Sequence, residues 1–123
     1  MTNTSSQADL QRCIDACSAC ADACDRCAVG CLREGEVNEL ARCIALDIDC
    51  AAACRFAAGV LARDSAMRNT VCAMCAMVCQ ACAAQCEMHP MDHCAACAKA
   101  CRQCAAECDR MGLAAVRTAR SAP

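Results

Sequence analysis

The sequence predicts an all-α fold, an antiparallel up-down-up-down four-helix bundle with a cysteine-lined core, and three observations carry that prediction. Nineteen of the 123 residues are cysteine. Nearly all of them advance along the chain by alternating steps of three and four, which places their side chains on one stripe of an α-helix. The segments so marked are joined by connections of only a few residues, which favours antiparallel neighbours. The stripe is the a/d seam where a bundle normally carries Leu and Ile.

The first helix is expected over about 6–34, with a disordered start over 1–5. Ser6 followed by Asp9 resembles an N-terminal cap with acid in the first turn. Cys13, Cys17, Cys20, Cys24, Cys27 and Cys31 form its seam, and Gly35 is placed to stop it. The second helix is expected over 37–63, with Asp64 or Ser65 available to cap the next. Its seam is thinner: Leu40, Cys43, Asp47, Cys50, Cys54, Ala57 and Leu61. Asp47 at a seam position has two readings. A small helix rotation turns Leu46 inward and leaves Asp47 at the edge, which is the expectation here; otherwise Asp47 is an accessory oxygen ligand or a proton acceptor among thiols. The third helix, 66–88, carries Cys72, Cys75, Cys79, Cys82 and Cys86, and Pro90 interrupts after it. The fourth, 91–111, carries Cys94, Cys97, Cys101, Cys104 and Cys108. Gly112 stands near its end, so that the bundle occupies 6–113 and a frayed tail 114–123.

Composition narrows the function. Ala supplies 30 residues and Cys 19, whereas Leu, Ile, Val and Phe together supply 16, so large apolar side chains are too few for an ordinary core. One aromatic residue, Phe56, and a net charge of −2 leave neither stacking platforms nor a basic footprint, which disfavours nucleic acid. No membrane span is expected once charged residues are counted. The start of the chain lacks a basic region followed by an apolar one, so a cytoplasmic protein is expected. Thiols stay reduced there, and many of them point to metal rather than disulfides.

Same-helix disulfides are strained, because i,i+3 and i,i+4 positions sit about 5–6 Å apart and a bridge needs Cβ atoms about 3.5–4.5 Å apart. Iron–sulfur clusters favour irregular loops such as C-x₂-C-x₂-C-x₃-C-P, and no such run occurs. Zinc in four thiolates carries a net charge of −2, and several such sites in one dry core repel one another. Cu(I) neutralises one thiolate per ion and is selected by soft sulfur. The eight C-x-x-x-C pairs on the helices can each hold an ion between two sulfurs. Storage or buffering of many Cu(I) ions, roughly one per cysteine, is therefore the expected function, without enzymatic turnover. A zinc or other heavy-metal sink and a thiol redox module are the alternatives.

A short four-helix chain with C-x-x-x-C pairs down every helix resembles the bacterial copper storage proteins, over about Ala8 to Met111. The resemblance implies a cysteine-lined interior holding many Cu(I) ions, homotetrameric assembly and the cytosolic branch of the family. A copper chaperone or small-molecule chelator is the expected donor.

The two bundle ends differ. Leu10, Leu61, Val71, Met111 and Leu113 gather as an apolar plug. Cys31, Leu40, Cys43, Cys86, Met88, His89, Met91, His93 and Cys94 gather at the other end. Imidazole and thioether both ligate soft metals. His89, His93, Met88 and Met91 are therefore candidate transit ligands for copper, against the alternative of loop residues with Met as a gap filler.

Overall fold

The computed structural model describes residues 4–121, with side chains over 7–112. Four helices account for it: α1 (Thr4–Leu32), α2 (Val37–Ala62), α3 (Arg68–Cys86) and α4 (Asp92–Ser121). Each helix packs on its two sequence-linked or terminal neighbours, α1 on α2 and α4, and α3 on α2 and α4. The diagonal pairs α1/α3 and α2/α4 make no backbone approach of that kind among the described residues. This is the expected antiparallel bundle.

Its centre is spanned by sulfur. Cys20 of α1 reaches Cys79 of α3 across one diagonal at 4.0 Å, and Cys50 of α2 reaches Cys101 of α4 across the other at 3.9 Å. All nineteen cysteines are buried and free of disulfides. Ala57 continues the α2 seam, and Ala21, Ala51, Ala76, Ala83, Ala98 and Ala105 are buried on its flanks and those of the other seams. Side chains this small let the helices close until thiols meet thiols.

The helix ends depart from expectation. Residues Thr4 and Ser5 of the expected disordered start are helical, and Ser6, expected as a cap, lies inside α1. Residues 1–3 lie outside the described residues. α1 stops at Leu32, short of Gly35, and no described glycine adopts a positive φ. α2 closes instead on Asp64, whose φ is 49°. The amide of Ser65 donates to the Val60 carbonyl and that of Asp64 to the Leu61 carbonyl, the paired bonds of a Schellman motif. Asp64 thus terminates α2, and Ser65 Oγ accepts from the Met67 amide just before α3. α4 passes Met111 and Gly112 and continues to Ser121, through most of the expected tail; residues 122–123 lie outside the described residues. One glycine costs a helix about 1 kcal/mol relative to Ala, too little to end one followed by Leu113, Ala114 and Ala115.

α3 is long and apolar enough, by length and composition, to cross a membrane, contrary to the expectation that no segment approaches this. Its five cysteines, with Val71, Ala76 and Ala83, face the bundle interior. At the plug end Leu61 and Val71 are buried, and Leu10 and Met111 are partly buried against the core. The Leu113 side chain lies outside the described ones.

Candidate metal centre

The alternating spacing turns four helical stripes into one continuous sulfur ladder. From the plug, Cys13 meets Cys108 at 3.8 Å, and Cys17 meets Cys108 and Cys104 at 3.7 Å each. Cys54 then contacts Cys104 at 3.8 Å, Cys75 at 3.8 Å and Cys79 at 3.6 Å. Cys50 lies 3.8 Å from Cys20 and 3.7 Å from Cys79, and Cys24 lies 3.8 Å from Cys101 and 3.6 Å from Cys97. Sets of four donor atoms lie within 4.8 Å of one another: Cys17/Cys75/Cys104/Cys108, Cys20/Cys24/Cys50/Cys101, Cys20/Cys50/Cys54/Cys79 and Cys24/Cys82/Cys97/Cys101 among them. The last three share members, and Cys54 joins them to the first through Cys75 and Cys104, so an ion in one set is a neighbour of the next.

Burial pushes the Cys43 thiol up to about 11 and the Cys94 thiol up to about 12, in the second case with help from the charge on Cys31. Within the ladder, Cys50 and Cys97 are held below the ordinary thiol range, first by their hydrogen-bond contact with the Cys101 sulfur. Cys24 and Cys104 are held above it. Each of the four sets thus combines sulfurs held below the ordinary thiol range with sulfurs held above it. That is the state a thiolate-seeking cation meets first.

Asp47 corrects an expectation. It is fully buried and faces the core, whereas Leu46 is only partly buried. Cys82 donates to its Oδ1 at 3.2 Å and Cys86 at 3.6 Å, and the Cys97 sulfur lies 3.3 Å from the same oxygen. Cys43 donates to its Oδ2 at 3.9 Å. The helix keeps its register and the thiols solvate the carboxyl, so no rotation is needed. Burial, then the charge on Cys97, raises the Asp47 carboxyl from 3.8 to about 7.

At the end opposite the plug, His93 points inward. Its Nδ1 lies 3.6 Å from Cys27, 3.6 Å from Cys94 and 3.9 Å from Cys31. Its Nε2 lies 3.1 Å from Glu34 Oε1. A Cβ on Gly30 would stand 2.8 Å from the imidazole Cγ and Cδ2, so that glycine makes room for the ring. Glu34 and Gly30 were not among the candidates, although Glu34 extends the α1 seam three residues past Cys31. His89 is partly buried, and its Nε2 has no hydrogen-bond partner among the described residues. It borders a cavity of about 250 Å³ with Glu34, Glu36, Glu39, Leu40 and Met91. Met91 packs against the core, whereas Met88 is 72% exposed and lines a surface groove between α2 and α3.

Residues 6–113 match the family model for copper storage protein. The chain belongs to the copper storage protein family. Solved relatives have the same fold. The Cu(I)-bound copper storage protein BsCsp3 superposes with a TM-score of 0.81 at 42% identity, covering 85% of this chain and 98% of that one. A cytosolic copper storage protein from Streptomyces lividans, described with five coppers during loading, superposes with a TM-score of 0.83 at 40% identity, covering 85% and 92%. A cysteine-rich protein of Bacillus subtilis (strain 168), YhjQ, is 44% identical over 83 residues, 68% of this chain and 77% of its own length. The copper storage proteins so matched share the four-helix architecture with this chain.

Proposed function

We propose that this copper storage protein holds Cu(I) along the whole ladder at roughly one ion per cysteine, as a cytosolic buffer that carries out no catalytic turnover. The observation that carries this reading is the burial of all nineteen sulfurs, most of them within 4 Å of another. An ion held by two or three such sulfurs exchanges thiol protons for its own charge, so filling leaves the interior near neutral. Asp47 is an accessory ligand or a proton acceptor for Cys82, Cys86 and Cys97 as they ionise. The plugged end directs transit to the opposite end, where His93, His89 and Met91 are weak ligands between donor and ladder. Met88 stands farther out, on the surface. The donor is a copper chaperone or a small-molecule chelator, and the bundle works as a homotetramer, as the family resemblance implies.

Anaerobic titration of the reduced protein with Cu(I) against a competing chelator tests the capacity. A plateau near one ion per cysteine is expected, and saturation at four or five ions with zinc preferred would overturn the copper reading. Alanine at His89 and His93 should slow loading and removal with little change in plateau. Unchanged rates would remove the transit role.

A further inference from the structure

The outward faces of the bundle are not alike. α1 and α4 expose Asp15, Asp22, Asp25, Lys99, Arg102 and Asp109, whereas α3 carries no charged side chain after Arg68. The exposed side of α3 repeats the spacing of the seam as Met74, Met77, Ala81 and Ala84, and Met88 continues it past the helix end. Met77 is 71% exposed and Met88 72%. Contiguous apolar surface of this kind marks an interaction site. Beside it, α2 exposes Arg42, Ala45, Asp49, Ala52 and Phe56 at the same spacing. A groove of about 490 Å³ runs between the two helices.

Two charges that line the groove have no partner in their own chain. Arg42 and Asp49 make no ion pair or side-chain hydrogen bond among the described residues, while Arg55 on the same helix is paired with Asp22 and Asp25. Their order suits a second copy of the same face. An isologous contact lays one patch on itself, so that residue i meets j and j meets i. With α2 antiparallel to α2 of another copy, about a two-fold axis between Ala45 and Leu46, Arg42 meets Asp49 and Asp49 meets Arg42.

The same axis serves α3. The sulfur pairs Cys43–Cys86 at 3.4 Å, Cys50–Cys79 at 3.7 Å and Cys54–Cys75 at 3.8 Å fix the register of the two helices. That register sets Ala45 and Leu46 level with residues 83–84. The midpoint of Ala81 and Met88 lies within one residue of that level, about 1.5 Å. Met88 of each copy therefore comes over the small side chain of Ala81 on the other. One axis matches opposite charges on one helix and large with small on the other.

We propose that the α2/α3 face docks a second copy of this chain in that antiparallel arrangement. Overlap of the two copies from Val37 to Cys54 of α2 is about 27 Å long and two helices wide. That is of the order needed to remove about 800 Å² from each copy, as stable pairs do. Burial in this contact accounts for an outer side of α3 without charge, on a helix whose composition would otherwise suit lipid. The proposal rests on the assembly reading above and deepens it by naming the surface. Storage stands without it, because every sulfur lies inside a single bundle.

Sedimentation of the reduced chain over a dilution series tests it. Wild type should associate. Asp49→Arg or Arg42→Asp alone sets like charges opposite one another twice, and should weaken association about 10-fold or more and yield a smaller species. An equimolar mixture of those two variants should recover the wild-type species, because each copy then meets its opposite charge, a rescue that a misfolded variant does not give. Ala84→Glu, at the level of the axis, should also yield the smaller species, whereas Ala106→Glu, on the exposed side of α4, should change nothing. Helix content by circular dichroism should be the same throughout. A wild type monomeric at every concentration, an assembly unchanged by Ala84→Glu, or no recovery on mixing would overturn the proposal. So would a monomer that binds phosphatidylcholine vesicles through this face. The Cu(I) plateau per chain should be equal in all variants, and its failure would overturn storage while leaving the interface standing.

Discussion

Replacing Asp47 by Asn removes the one carboxyl buried in the core among the described residues, and its effect on the copper-free bundle can be worked out in advance. Burial raises this carboxyl from 3.8 to about 7 on folding. The folded state therefore keeps a proton that the unfolded state releases between those two values. Unfolding stability changes with pH in proportion to protons bound in the unfolded state minus those bound in the folded state, and here the difference is negative. The contribution of Asp47 is most favourable below pH 3.8, falls as pH rises, and is fully lost above about 7. The shift corresponds to about 4 kcal/mol at about 1.36 kcal/mol per unit. Denaturant unfolding of reduced, metal-free wild type and Asp47→Asn from pH 4.5 to 8 measures it. The stability gap should move in favour of the variant by about 1 kcal/mol per pH unit up to neutrality and then level off. A gap independent of pH, or one moving toward the wild type as pH rises, would refute an Asp47 that is buried and short of charged partners.

Three substitutions test the packing and the turn. Cys50 Sγ lies within 4.0 Å of the sulfurs of Cys20, Cys54, Cys79 and Cys101, so Cys50→Ser should lower the Cu(I) plateau by about two ions or more. Cys13→Ser, at the ladder's end beside Cys108, should lower it by about one, and equal losses would argue against shared clusters. Asp64→Gly relieves a side chain held at φ 49° and should stabilise the apo bundle by about 0.5–1 kcal/mol, read as a rise in melting temperature. A fall would show that the exposed pair between Asp64 and Arg68 outweighs the backbone strain.

Much of the site was legible because a helix converts sequence spacing into direction. Steps of three and four assign every cysteine to an interior stripe without reference to the other helices. Leu61 and Val71 at one end, and Cys31, Cys86 and Cys94 at the other, follow from antiparallel order alone. Asp47 was misjudged because its orientation depends on partners from other helices. Cys82 and Cys97 reach it from α3 and α4, 35 and 50 residues away in sequence. Helix ends were blurred for a related reason: Asp64, expected to cap α3, takes the left-handed position that closes α2, and Gly35 and Gly112, the expected stops of α1 and α4, do not adopt it.

By itself, then, the sequence determined the fold class, the interior chemistry and the difference between the two ends, since each depends on periodicity and residue type within one helix. Tertiary structure decided which sulfurs share an ion, where the carboxyl of Asp47 points, and how His93 is aimed. Those are matters of distance between helices. Small Ala and Cys side chains allow the helices to close until donors from α1 and α4 stand 3.6–3.9 Å apart, with Gly30 and Glu34 holding a ring in the remaining space.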